Sequence, residues 1–241
     1  AVHVLLLNSN GTVKSSVKLA SGTNGGPTLA NSDSFGISVA SLGDLDGDGV
    51  TELAVGAYRD NTGGGNRGAV HVLFMNANGT MKNSVKIASG TSGGPTLADS
   101  DLFGGSVSSL GDLDGDGVTD LTVGAYHDAT GGSGCGAVSL LGVLGRDRGT
   151  EWVGAVFLYT TGVSSRGAVH VLLLNANGTV KSTVKIANGT GGGPTLMDGD
   201  NFGWSLASMG DLDGDGVAEL AVGAYNDSTG GSSRGAGHVL P

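Results

Sequence analysis

Apolar residues in this chain come in runs of strand length, and turn residues close each run. From Phe35 to Leu42 apolar positions alternate with small polar ones, and the run ends at a cluster of aspartates. Glu52 to Tyr58 is short and apolar, bounded by a loop rich in Gly and Asn. Ala69 to Met75 is β-branched and unbroken, and it leads into Asn78-Gly79, a type I′ hairpin signal. Met81 to Ala88 alternates again, with Lys82 and Lys86 on one face and Val85 and Ile87 on the other. Lysines facing outward on a last strand are a means of blunting a sheet edge, and these two are read that way. The pattern predicts four antiparallel strands in succession. Long helices are disfavoured, because 48 of the 241 residues are Gly and each costs about 1 kcal/mol inside a helix.

The pattern repeats. An aspartate triplet begins at Asp44, Asp112 and Asp211, and the run Ala-Val-His-Val-Leu begins at Ala1, Ala69 and Ala168; both recur at displacements of 68 and 99 residues. The units are 1–68, 69–136, a truncated 137–167, 168–235, and the start of another, 236–241. In the short unit Leu141 to Trp152 aligns without gaps on Leu42 to Leu53, with Val143 and Gly145 in place of two aspartates. It is therefore expected to bind no metal. Tandem units of four antiparallel strands predict an all-β protein built of β-propeller-type blades, about three full units plus the truncated one. The chain opens on the last two strands of a unit and closes on the first two, which would let a ring close by completing one blade. Residues 236–240 duplicate 1–5, which points instead to a piece of a longer array or to a fibre. The missing initiator Met and signal peptide fit a mature product or an excised segment.

Charge sharpens this picture. The net charge is −10, and twelve of the 22 acids lie in three short loops. Elsewhere the twelve bases outnumber the acids by two. Negative charge so concentrated suits a divalent cation and disfavours a nucleic-acid backbone. No apolar run approaches the ~18 residues of a membrane helix, and 38% hydrophobic residues in β-branched runs argue against disorder. Cys135 is the only cysteine, so no disulfide forms within the chain.

The pattern Asp-x-Asp-x-Asp-Gly-x-x-Asp/Glu turns alternate carboxylates toward one centre, and its Gly permits the sharp turn. Calcium takes six to eight hard oxygens, often including a backbone carbonyl. The first loop supplies Asp44, Asp46 and Asp48 as side-chain ligands, Val50 as carbonyl donor and Glu52 as the closing carboxylate. The second supplies Asp112, Asp114, Asp116, Val118 and Asp120, and the third Asp211, Asp213, Asp215, Val217 and Glu219. A plain polar turn would also use Asp and Gly, but four carboxylates in nine residues repel one another without a cation. The expectation is Ca²⁺, about three ions per chain. An EF-hand fits less well, since strand-like runs flank the loop and no Glu stands at its twelfth position.

Each full unit combines Phe-Gly (Phe35-Gly36, Phe103-Gly104, Phe202-Gly203), the aspartate loop, and Gly-Ala-Tyr (Gly56-Ala57-Tyr58, Gly124-Ala125-Tyr126, Gly223-Ala224-Tyr225). The combination resembles the FG-GAP repeat of integrin α-subunit β-propellers and their bacterial relatives, over nearly the whole chain. The resemblance implies a propeller-type fold, the same calcium ligand set and an extracellular adhesion role. Three departures stand out: Tyr where the third GAP residue is usually Pro, Glu52 and Glu219 where Asp is usual, and fewer units than a full ring.

Other recurrences have simpler readings. His3, His71, His170 and His238 share one strand position and form no metal-spaced cluster. Asn10-Gly11-Thr12, Asn78-Gly79-Thr80 and Asn177-Gly178-Thr179 match the N-glycosylation sequon but also make turns. Trp204 is read as blade packing or as a carbohydrate platform, and Cys135 replaces the Arg67, Arg166 and Arg234 of the other units. No catalytic constellation recurs, so a non-catalytic protein is expected. The leading reading is a calcium-binding module for adhesion or protein recognition, located outside the cell or on its surface. Its partner would be an extracellular protein or further copies of itself, with no nucleic acid and no transmembrane segment. A structural subunit of an extracellular filament, favoured by the near-identity of the repeats, and a carbohydrate-binding lectin propeller are the alternatives.

Overall fold

The computed structural model describes residues 1–129, 136–139, 158–161 and 165–240. Every regular element among them is a strand. β1 (Val2–Leu7) and β2 (Val13–Leu19) form a hairpin. β3 (Val39–Gly43), β4 (Glu52–Ala57), β5 (Ala69–Met75) and β6 (Met81–Ala88) follow as a four-stranded antiparallel sheet in chain order. β7 (Ser106–Gly111) and β8 (Asp120–Ala125) begin a second such sheet. β9 (Gly136–Ser139) and β10 (Leu158–Thr161) pair, among the described residues, only with each other. β11 (Ala168–Leu174) and β12 (Val180–Ala187) then complete the sheet that β7 and β8 began. β13 (Phe202–Gly210), β14 (Glu219–Ala224) and β15 (Ala236–Leu240) form a three-stranded sheet. These are the blades the alternation predicts.

The truncated segment is passed over by the sheet it interrupts. β8 pairs directly with β11, with Ala125 opposite Ala168, as Ala57 stands opposite Ala69 in the first four-stranded sheet. The expectation of a metal-free loop at Leu141 to Trp152 falls outside the described residues. Beside β14, the place a ring-closing β1 would take is filled by β15.

The sheets stack face to face in chain order, and apolar residues fill each gap. Val2, Leu19, Phe35, Leu73 and Met75 lie between the β1–β2 hairpin and the first four-stranded sheet. Val70, Val72, Ile87, Phe103, Leu121 and Leu172 join the two four-stranded sheets. Val169, Val171, Phe202, Leu220 and Val222 join the second of them to the last sheet.

The Phe-Gly and Gly-Ala pairs form the seam between neighbours. A Cβ on Gly56 would come within 2.0 Å of the Gly104 carbonyl oxygen, and one on Gly124 within 2.1 Å of that of Gly203. The same carbonyls accept hydrogen bonds from the Ser38 and Ser106 hydroxyls at 2.9 and 2.7 Å. Glycine is thus required where two backbones touch. Phe103 and Phe202, fully buried, anchor the following sheet against it.

Two local expectations are corrected. β3 begins at Val39, so Phe35 sits in the turn that precedes the strand. The Asn78-Gly79 hairpin closes through a longer loop, in which Asn76 exchanges backbone hydrogen bonds with Thr80 and Gly79. The Asn78 Oδ1 accepts from both the amide and the hydroxyl of Thr80, so side-chain chemistry rather than a two-residue turn sets this geometry.

Candidate metal loops

Each aspartate loop joins the first strand of a sheet to the second, so all three open at the same end of the stack. The first aspartate organises its loop. Asp44 accepts backbone N–H groups from Gly47, Asp48 and Gly49 at 2.8, 3.0 and 2.8 Å. Asp112 does so from Asp116 and Gly117 at 2.9 and 2.7 Å, and Asp211 from Gly214 and Gly216 at 2.6 and 3.0 Å. Asp48, Asp116 and Asp215 each accept the amide two residues on, that of Val50, Val118 and Val217. These bonds curl each loop so that carboxylates converge. Oxygens of Asp44, Asp46 and Asp48 lie within 4.8 Å of one another, as do those of Asp112, Asp114 and Asp120, and of Asp211, Asp213 and Glu219.

The closing carboxylates hold the loops to the sheets. Glu52, Asp120 and Glu219 are buried. Glu52 accepts from the amides of Leu45 at 2.7 Å and Met75 at 3.3 Å, and Asp120 from Leu113 and Leu174, both at 2.9 Å. Glu219 accepts from Leu212. Burial pushes the Asp120 carboxyl above the usual carboxylate range, and the amides of Leu174 and Leu113 oppose that shift. Glu52 is outside the converging trio of its own loop, whereas Asp120 and Glu219 belong to theirs. Asp116 and Asp215 stand outside theirs.

β6 and β12 are edge strands, as the lysine pattern of β6 suggests, and their lysines also reach into two of the loops. Lys82 of β6 pairs with Asp46 at 2.8 Å and also with Asp48. Lys181 of β12 pairs with Asp114 at 2.5 Å and Asp116 at 2.9 Å. Their hydrogen bonds hold Asp48 and Asp116 below the ordinary carboxylate range, with help from the valine amides. Both ammonium groups are held above theirs in return. Lys86 is likewise paired, at 2.5 Å from the buried Asp60, and Lys185 pairs with Asp128. The donor set is hard carboxylate oxygen, and in two loops a cationic nitrogen already stands between carboxylates. These residues fit a hard cation.

A second family of acids escaped the sequence reading. Asp33, Asp101 and Asp200 are buried and accept the amides of Ala30, Ala98 and Met197 at 2.7, 2.7 and 2.6 Å. Asp60, Asp128 and Asp227 are buried at the end of the Gly-Ala-Tyr segments. Both sets recur at the spacing of the aspartate loops, and that recurrence was the available signal.

Comparison with known proteins agrees with this geometry. The FG-GAP repeat model matches residues 35–73, 103–141 and 202–240. Integrin alpha-5 of Xenopus laevis is 39% identical over 92 residues, covering 38% of this chain and 8% of that protein. Integrin alpha-2 of Mus musculus is 32% identical over 100 residues, 42% of this chain and 8% of that protein. Integrin alpha-E of Mus musculus is 35% identical over 120 residues, 47% of this chain and 10% of that protein. The chain thus spans about a tenth or less of the length of these relatives. With three matched repeats, three acidic loops and blades of antiparallel strands, it is an integrin-like FG-GAP repeat protein.

Proposed function

We propose that the chain is a calcium-binding, non-catalytic recognition module that works outside the cell or on its surface. The observation that carries this reading is the convergence of three carboxylates in each of three loops at one end of the stack. Asp44, Asp112 and Asp211 fix the loop backbones. The same three aspartates, with the other carboxylates of each loop and the carbonyls of Val50, Val118 and Val217, would hold the ion. The bound Ca²⁺ supplies positive charge that cancels carboxylate repulsion and rigidifies the loops. Lys82 and Lys181 swing aside as it enters. The loops at the opposite end are then free to meet a protein partner.

Metal analysis and calorimetry test this. About three ions per chain are expected, and Asp46→Ala, Asp114→Ala and Asp213→Ala should each remove about one. At extracellular-module affinities, millimolar calcium adds about 0.4–1.4 kcal/mol per site, so chelator should lower the melting temperature. An unchanged melting curve in excess chelator would defeat the reading.

Self-association is a second reading with its own observation. β1 and β2 expose Leu5, Leu7 and Val13, and β15 exposes Val239, on sheets at the two ends of the stack. Sedimentation across a concentration series decides it, since a mass that stays monomeric removes it.

A further inference from the structure

At the end of the stack away from the aspartate loops, four aromatic rings from three sheets form one row. Tyr58 follows β4, Tyr126 follows β8, Trp204 lies in β13 and Tyr225 follows β14. Ring centres are 6.4 Å apart from Tyr58 to Tyr126, 4.5 Å from Tyr126 to Trp204 and 4.4 Å from Trp204 to Tyr225. The Arg59 guanidinium carbon stands 5.2 Å from the Tyr58 ring centre at one end, and His127 meets the Tyr126 ring edge-on at 5.1 Å.

The row lines an open cavity of about 540 Å³, a size usual for small-ligand sites. Its floor is rigid. The Tyr126 ring lies over Gly105, where a Cβ would come within 2.4 Å of a ring carbon. Its outer half is open, with Trp204 44% and Tyr225 51% exposed. Three of the four rings stand at the third position of the recurring Gly-Ala-Tyr, so the repeat itself brings them to one end of the stack.

The polar atoms beside the rings are uncommitted. Among the described residues, no internal hydrogen bond engages the hydroxyls of Tyr58, Tyr126 or Tyr225, the Trp204 indole N–H, or the Arg59 guanidinium. Burial holds His127 below its ordinary pKa, so its neutral imidazole offers one donor and one acceptor.

We propose that this aromatic row is a glycan-binding site, in which the exposed faces of Trp204 and Tyr225 stack on pyranose C–H faces while Arg59, His127 and the tyrosine hydroxyls meet the sugar hydroxyls. A pyranose is apolar on its ring face and carries groups around its rim that both donate and accept. That is the complement of exposed ring faces edged by mixed donors and acceptors. A proline-rich peptide also docks on aromatic rows, but its carbonyls only accept and would leave the acceptors here unmatched.

The test is titration of the full chain, followed by NMR through the Trp204 indole N–H signal, which is assigned by its loss in Trp204→Phe. The probes are cellohexaose, chitohexaose, mannohexaose, hexagalacturonate and octaproline, preceded by a mixed-glycan array. At least one saccharide should shift that signal saturably. Trp204→Ala and Tyr225→Ser should each weaken it about tenfold or more, and Arg59→Ala severalfold, with melting temperature and calcium stoichiometry unchanged. Because Trp204 and Tyr225 are both exposed, neither variant is expected to unfold the protein, and the melt checks this. Silence of the array and all four saccharides overturns the proposal. So does binding that survives both aromatic substitutions, or saturation by octaproline alone. Calcium affinity is read in the same samples, so failure here is distinguishable from failure of the metal loops.

Discussion

Acidification should unfold this protein through two histidines. His71 in β5 and His170 in β11 are each 1% exposed, and neither ring nitrogen of either has a hydrogen-bond partner. Each packs edge-on against the Phe of its own sheet, Phe35 at 5.4 Å and Phe103 at 5.6 Å. Burial first, and then the ammonium groups of Lys86 and Lys185, push both from 6.5 to about 4, with Asp60 and Asp128 opposing. The folded pKa lies below the unfolded one, so the unfolded chain takes up protons first. The stability is complete above pH 6.5 and is lost as pH falls toward 4. At about pH 5 each histidine removes about 2 kcal/mol. Asp101 works the other way: burial first, with the charge of Asp128 adding, raises it to about 6. Its folded form takes up a proton first and returns about 1 kcal/mol at that pH. The expected net loss between about pH 7.5 and about pH 5 is therefore about 3 kcal/mol. Urea unfolding at the two pH values, in excess chelator so that metal linkage drops out, measures it. The His71→Leu/His170→Leu double variant should instead gain about 1 kcal/mol over the same interval, the contribution of Asp101 alone. An equal loss in that variant would show that the sensitivity resides elsewhere.

Three further outcomes follow from contacts described above. Lys82→Met and Lys181→Met should tighten calcium binding at the first and second loops severalfold by removing a competing cation, while the third loop, with no lysine on it among the described residues, stays unchanged in calorimetric titration. Gly124→Ala should cost about 3 kcal/mol or more in urea unfolding, because its Cβ meets the Gly203 carbonyl oxygen at 2.1 Å; Gly223→Ala meets only the Ser205 side chain, which turns aside, and should cost under about 1 kcal/mol. Arg67→Glu breaks the 2.8 Å pair with Asp99 and should disturb partner contacts at that end while leaving the calcium count intact; calcium loss equal to that of Asp46→Ala would refute a division between a metal end and a contact end.

Much of the architecture was legible because hydrophobic alternation and turn chemistry are local. Ala69–Met75 and Met81–Ala88 could be read as paired strands from their own residues. The carboxylate loops were legible because their spacing lies within one turn of chain. What could not be read depends on which strands become neighbours. The chain order of residues does not reveal that β8 bypasses β9 and β10 to reach β11, or that this brings Lys181 onto Asp114, 67 residues away. The loop pairs of the edge lysines were hidden for that reason: Lys82 of β6 meets aspartates of the loop that joins β3 to β4, which its own strand does not reveal. The aromatic row was hidden in the same way, since Tyr58, Tyr126 and Tyr225 are far apart in sequence and meet only because each ends the second strand of its sheet.

The direct pairing of β8 with β11 has a consequence for how such chains tolerate growth. Eleven residues separate Ala57 from Ala69 in one sheet, and 42 separate Ala125 from Ala168 at the matching place in the next. The two connections nonetheless close the same register. The entropic penalty for the longer closure rises only with the logarithm of its length, about 1 kcal/mol here. That is less than one large buried side chain contributes. The second-to-third strand connection is therefore a port at which foreign sequence can be carried on a finished scaffold. A folded domain spliced between Ala125 and Ala168 should leave the metal loops, which open at the other end, undisturbed.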